Sequence, residues 1–296
     1  MRISAYICGL AAVLFSLSAI PANAADHKNL ISDQARALDG GRGLQILVAQ
    51  EEIKSNINPS NIAVFTGGGL IGALIQVKVD SDRAVKAEAA IQPLRAALTG
   101  FDADVLARDT TAAALAKVAW FKTGAPAFGR DATLPGLSTA LDAGPTGQVA
   151  FFTYAYDGSP DLSNLRVKVT ISIADKALKA GQKPETRLYA KNLIYMTSIT
   201  SVVNLPNPSK DAASNAARWS ADNGKLARKA LAAGFGELGQ LIPRALELKE
   251  ADETVMLAKD KKNTVAGGFN GKVQEDGPAG TLLYSGALIH VQTIAE

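Results

Sequence analysis

The chain has 296 residues, with 31 Lys and Arg against 28 Asp and Glu and a formal net charge of +3. This near balance, with basic residues scattered along the chain, excludes the electrostatic footprint of a nucleic-acid binder or of polybasic membrane attraction. A single cysteine, Cys8, and two histidines leave little material for thiol or metal chemistry.

Arg2 precedes an apolar run from Ala5 to Ile20, which Pro21 breaks, and Ala22-Asn23-Ala24 offers a small-x-small site. The pattern predicts a secretory signal peptide over residues 1–24, cleaved after Ala24. The run is too short for a good membrane anchor, although an uncut anchor helix is the alternative reading. Cleavage removes Cys8, so disulfides, thiol catalysis and cysteine-ligated metals are excluded from the mature chain. Both Asn58-Pro59-Ser60 and Asn207-Pro208-Ser209 are proline-blocked as glycosylation sites, which favours a bacterium. The expected location is the periplasm, with the extracellular space as the other destination.

After a polar start, Leu44 to Ala49 (LQILVA) and Asn61 to Thr66 (NIAVFT) read as short strands. Helices are expected over Asp82–Leu98, where Ala84, Ala87, Ile91, Leu94 and Leu98 form one face, and over Asp102–Phe121. Thr123 to Pro145 reads as mostly loop because of its Gly and Pro content. Gln148–Tyr156, Leu165–Ile173 and Arg187–Val202 predict a three-stranded antiparallel meander, with Val167, Val169, Ile171 and Ile173 on its buried face. Phe151, Phe152, Tyr154 and Tyr156 read as core on one face and sheet surface on the other. A long helix follows, with an apolar stripe from Trp219 to Leu246. Gly234, Gly236, Gly239 and Pro243 suggest a bend or close packing in it. Thr254–Ile294 reads as short strands.

The most distinctive segment is Gly67-Gly68-Gly69-Leu70-Ile71-Gly72-Ala73. It matches G-x-G-x-x-G after a strand, but only Ala73 to Gln76 separate it from the next apolar pair. No acidic residue stands where a dinucleotide site needs one. Gly68 with Gly72, and Gly69 with Ala73, stand four apart, which permits close backbone approach. Two readings stay open: contact with a membrane or a second copy, and a tight buried turn.

Catalytic signatures are missing from the sequence. His290 lies in an apolar strand and reads as an ordinary strand residue. Gly136-Leu137-Ser138-Thr139-Ala140 only approaches G-x-S-x-G, and there is no S-x-x-K, H-E-x-x-H or calcium loop. Glu51-Glu52, and Glu247 with Glu250, read as solvated faces, though carboxylates could serve a hydrolase if the fold brought a pair together.

The stretch Ser60-Asn61-Ile62 through Ala73-Leu74-Ile75, followed by Arg83 to Leu98, resembles a pattern in uncharacterised secreted proteins of proteobacteria. Ala217-Arg218-Trp219-Ser220-Ala221-Asp222-Asn223-Gly224 is similar to the late helix of several such envelope proteins. The resemblance implies an envelope location and no activity.

The sequence therefore predicts an α+β fold: a three-stranded antiparallel meander with flanking helices and a short C-terminal β unit. The expected organisation is a signal peptide (1–24), a main domain (25–250) and a β-rich segment (251–296). The expected function is a non-enzymatic periplasmic or envelope accessory protein without cofactor or metal. Its partners would be another protein, itself or a membrane surface, with a carboxylate-dependent hydrolase as the alternative.

Overall fold

A computed structural model describes residues 30–37, 41–55, 88–144, 147–176, 189 and 192–295. The first half runs α1 (Asp33–Arg36), β1 (Arg42–Val48), β2 (Lys54–Ser55), α2 (88–97), α3 (Ala103–Leu115), β3 (Thr123–Gly129), α4 (Leu134–Ala143) and β4 (Gln148–Gly158). The second half runs β5 (Asn164–Asp175), β6 (Leu193–Asn204), α5 (Ala212–Glu247), α6 (Glu250–Met256), β7 (Asn263–Ala266), β8 (Phe269–Gly277), β9 (Gly280–Tyr284) and β10 (Leu288–Thr293).

These strands form one ten-stranded mixed sheet in the order β3-β1-β4-β5-β6-β10-β9-β8-β7, with β2 beside the end of β4. β3, β1 and β4 are parallel. β4, β5 and β6 are antiparallel. β10 then lies parallel to β6, and β9, β8 and β7 follow antiparallel. The expected three-stranded meander is thus corrected: β4, β5 and β6 are the middle of a much larger sheet, although the mixture of helix and strand is as expected. β7 to β10 continue that sheet through β10 on β6.

Thr123–Pro145, expected to be mostly loop, holds one strand of that sheet and one helix. β3 (TGAPAFG) has no apolar alternation and contains Pro126; it is the outermost strand, where a missing N–H is tolerated. α4 (LPGLSTALDA) carries Pro135 and Gly136 in its first turn, where proline is compatible with a helix, and the Thr133 hydroxyl accepts from the Gly136 amide at 3.3 Å.

Around β1 and the first half of β4 both faces of the sheet are covered, whereas the back face of β5 carries the exposed Lys168. On the front face, Ile46, Phe152, Tyr154, Val169, Ile171 and Ile199 pack against helical residues Leu94, Ala107, Trp219, Leu231, Phe235 and Leu238. On the back face, α4 places Leu137 and Leu141 on Leu47, Val149 and Phe151. Adjacent residues 46 and 47, or 151 and 152, thus serve opposite layers, as strand alternation requires. Phe151 is fully buried against the Tyr189 ring, edge to face at 5.3 Å. The expectation that β4 shows aromatic residues on a sheet surface is corrected accordingly. Farther along the back face, Ala266, Phe269 and Val273 pack on Val202, Leu283 and Val291.

The long helix α5 breaks earlier than its glycines suggest. Ala221 is extended, and Asp222, Asn223 and Gly224 have φ of 51°, 56° and 73°. A Cβ on Gly224 would stand 3.0 Å from the Ala97 carbonyl oxygen. Arg228 bolts the break to the end of α2, donating to the Ala97 and Thr99 carbonyls at 2.8 and 2.7 Å. No helix among the described residues is long and apolar enough to cross a membrane.

Gly234 and Gly236 play opposite roles on the same helix. A Cβ at Gly234 would come within 2.7 Å of Val167 Cγ2, whereas one at Gly236 meets nothing within 4 Å. Gly234→Ala should lower stability by about 1–3 kcal/mol through overpacking against β5. Gly236→Ala should raise it by up to about 1 kcal/mol through helix propensity. Urea unfolding of the two variants beside the parent checks the difference in sign.

Candidate functional site

The parallel end of the sheet has a topological switch. From the carboxyl end of β1 the chain crosses the front face through α2 and α3 before returning as β3. From the carboxyl end of β3 it crosses the back face through α4 before returning as β4. β1 and β3 are neighbours. Two adjacent parallel strands whose exits diverge to opposite faces leave a crevice at their carboxyl ends, the usual ligand position in open α/β sheets.

That crevice is built around residues 48–55. β1 pairs with β4 as far as Val48 opposite Tyr154, and β2 resumes with Lys54 opposite Asp157. Between them the Gln50 side chain stands in for a strand. Its Nε2 donates to the Tyr156 carbonyl at 2.6 Å, and its Oε1 accepts from the Tyr156 amide at 3.3 Å. This satisfies both main-chain groups of a buried residue where no backbone partner reaches. Nε2 also donates to the Glu52 carbonyl at 2.9 Å, which shapes the bend that follows.

Two arginines clamp the same segment from either side. Arg130, immediately after β3, donates to the Gln50 carbonyl at 3.0 Å and to Asp104 on α3 at 2.6 Å. Arg95, on α2, donates to the Ile53 carbonyl at 2.9 Å, grips Glu88 with two nitrogens and stands 3.6 Å from Glu52. The Arg95 guanidinium, mainly through its hydrogen bonds, holds the Glu88 carboxyl below its ordinary value. Asp102 caps α3 by accepting from the Val105 amide at 3.0 Å. The Tyr156 hydroxyl donates to the Glu51 carbonyl at 3.2 Å, and its ring meets Phe101 edge to face at 6.0 Å. Burial pushes the Tyr156 phenol up, with the Arg130 charge opposing.

The result is a cleft of about 480 Å³ walled by Gln50, Glu51, Glu52, Lys54, Arg95 and Arg130. A second hollow of about 200 Å³ shares Gln50, Glu51 and Arg130 and extends to the start of α3 and Tyr156. The cleft offers fixed charges of both signs and main-chain polar groups. Its guanidiniums are committed to carbonyls and carboxylates, whereas the Glu51 and Glu52 side chains stand at an exposed rim. Among the described residues, no three His, Cys, Asp or Glu side chains gather as a metal site.

The glycine segment Gly67 to Ala73 and the cleavage residue Ala24 lie outside the described residues. Of the carboxylates read from the sequence, Glu51 and Glu52 reach the cleft. Glu247 lies elsewhere, 3.6 Å from Arg36, and Glu250 opens α6. Ser138 sits in α4 and donates to the Leu134 carbonyl at 2.8 Å. His290 is a buried residue of β10, with Nδ1 3.5 Å from Glu237. The sequence reading missed Gln50, Arg95, Asp104 and Arg130. Arg130 was detectable only by recognising β3, because its place is set by the end of that strand. No family model matches the chain, and neither a curated protein nor a solved structure matches it.

The Gln50 surrogate has a measurable consequence. Gln50→Leu keeps the bulk but strands the amide and carbonyl of Tyr156, and should lower stability by about 1–3 kcal/mol. The urea midpoint checks this; an unchanged midpoint would show that the Gln50 hydrogen bonds are dispensable.

Proposed function

We propose that this chain is a non-enzymatic accessory protein of a bacterial cell envelope, exported to the periplasm, that works by holding a protein partner at the carboxyl-edge cleft. The observation that carries the reading is the clamp on residues 48–55. Arg95 and Arg130 are bound to the protein's own carbonyls and carboxylates, so the rim formed by Glu51, Glu52 and Lys54 is a stiff, charged surface. A preorganised surface of that kind suits recognition, because little ordering has to occur on binding. Location in the envelope rests on the signal-peptide pattern of residues 1–24.

The glycine segment supplies the second part of the proposal, close contact with a membrane or with a second copy of the chain. Its support is the spacing of Gly68 with Gly72 and of Gly69 with Ala73, four apart, which permits close backbone approach.

Site-specific photo-crosslinking in living cells tests both parts. A photoreactive residue replaces Glu51 at the rim, Leu70 in the glycine segment, or Lys168, an exposed residue of β5, as control. The expected outcome is a discrete protein adduct from position 51 in the periplasmic fraction, an adduct to itself or to lipid from position 70, and none from position 168. Absence of adducts from both 51 and 70, or recovery of the protein in the cytoplasm, would overturn the reading.

A further inference from the structure

At the opposite end of β1 from the cleft, about 20 Å away at the rise of an extended strand, stands a charge with no counter-charge among the described residues. Arg42, the first residue of β1, has a fully buried side chain. Its Nε donates to Gln148 Oε1 at 3.0 Å and its Nη2 donates to the Ala35 carbonyl, while its Nη1 has no partner. Among the described residues no carboxylate lies within ion-pair distance of it. The acid in its network, Asp175, is one step removed, accepting from Gln148 Nε2 at 3.0 Å. Two aromatic faces do part of the work of a counter-charge: the guanidinium carbon lies 5.4 Å from the Trp120 ring centroid and 5.4 Å from that of Phe121.

The indole beside it repeats the anomaly. Trp120 Nε1 is also buried without an acceptor. Arg36, which lies 5.3 Å from the same ring, makes a useful contrast. It is satisfied by the Leu248 carbonyl at 2.8 Å and by Glu247 at 3.6 Å. Two unpaired donor nitrogens on one side-chain contact, one of them on a buried cation, form an arrangement that folded proteins otherwise avoid, because buried charges are paired and buried donors are bonded.

We propose that Arg42 and Trp120 bind a small monovalent anion of halide size within the amino edge of the sheet. The donor set chooses the size. Nε is engaged and Nη2 is held by a carbonyl, so the nitrogen left wholly free is Nη1, and an anion there is held from one guanidinium nitrogen rather than by the two-nitrogen clasp typical of phosphate or a bidentate carboxylate. With the indole N–H as the other donor left over, a compact spherical acceptor suits the pair best. The α1 region lies across the site through the Ala35 carbonyl and buried Ile31, so a bound ion would be sequestered from water. Its role would be to neutralise Arg42 and fix the first residue of β1.

The test is a melting-temperature series on the purified protein at constant ionic strength, exchanging sodium sulfate for sodium chloride or bromide. A saturable rise in Tm with halide and none with sulfate is expected. Arg42→Met should abolish the halide dependence, and Trp120→Phe, which keeps an aromatic face but removes the N–H, should weaken halide binding several-fold. Coincident halide and sulfate curves, or an unchanged halide response in the Arg42→Met protein, would overturn the proposal. Should Arg42→Met fail to fold, bromide anomalous scattering from crystals of the parent protein decides: a peak between Arg42 and Trp120 supports the site, and its absence there rejects it.

Discussion

The burial of the first half of β4, Gln148 to Phe152, on both edges and both faces governs the molecule. It pairs in parallel with β1 on one edge and antiparallel with β5 on the other. Its Phe151 and Phe152 are both fully buried, on opposite faces. A stretch of strand with no wet side needs a layer in front and a layer behind. The chain supplies α2, α3 and α5 in front and α4 behind, and the crossovers that place α3 and α4 on opposite faces open the crevice between β1 and β3. The cleft is therefore a consequence of how the central strand is covered.

The same strand explains why the cleft is firm. β4 runs past the end of β1, so main-chain groups of Tyr156 would lie bare in a buried position. Gln50 fills that gap from a side chain, and Arg130 and Arg95 fasten the carbonyls that the bend leaves outward. Each arginine then carries a second commitment, to Asp104 or Glu88. The exposed ion pairs themselves contribute little to stability; their effect is positional, joining the loop to α3 on one side and α2 on the other. The two ends of β1 differ in chemistry. At the carboxyl end Arg95 and Arg130 each meet a carboxylate, whereas at the amino end Arg42 meets two neutral oxygens and its Nη1 meets none.

Parts of this were legible from residues alone. The alternation of Val167, Val169, Ile171 and Ile173 identified β5, and the Ile91-Leu94-Leu98 spacing identified the buried face of α2. Local pattern could not reveal the sheet's size, because β10 reaches β6 from the far end of the chain and β3 hides behind Pro126 and two glycines. Of the two readings of the helix glycines, a bend or close packing, Gly234 shows the second, against Val167, whereas the break lies earlier, at Asp222 and Asn223, polar residues that tolerate a left-handed backbone, with Gly224. Glu51 and Glu52 were visible as charges, but nothing in their neighbourhood marks the crevice. Arg95, Arg130 and Asp104 converge on it only after two crossovers have been folded.

The central claim is that residues 48–55 form a fixed wall rather than a loose loop, and amide hydrogen exchange at Tyr156 reads it most directly. Its N–H is held by the Gln50 side chain. Native-state exchange should find Tyr156 protected to the same order as Tyr154, which sits where β1 still pairs with β4. Exchange of Tyr156 at the rate of an open chain, with Tyr154 still protected, would contradict the account.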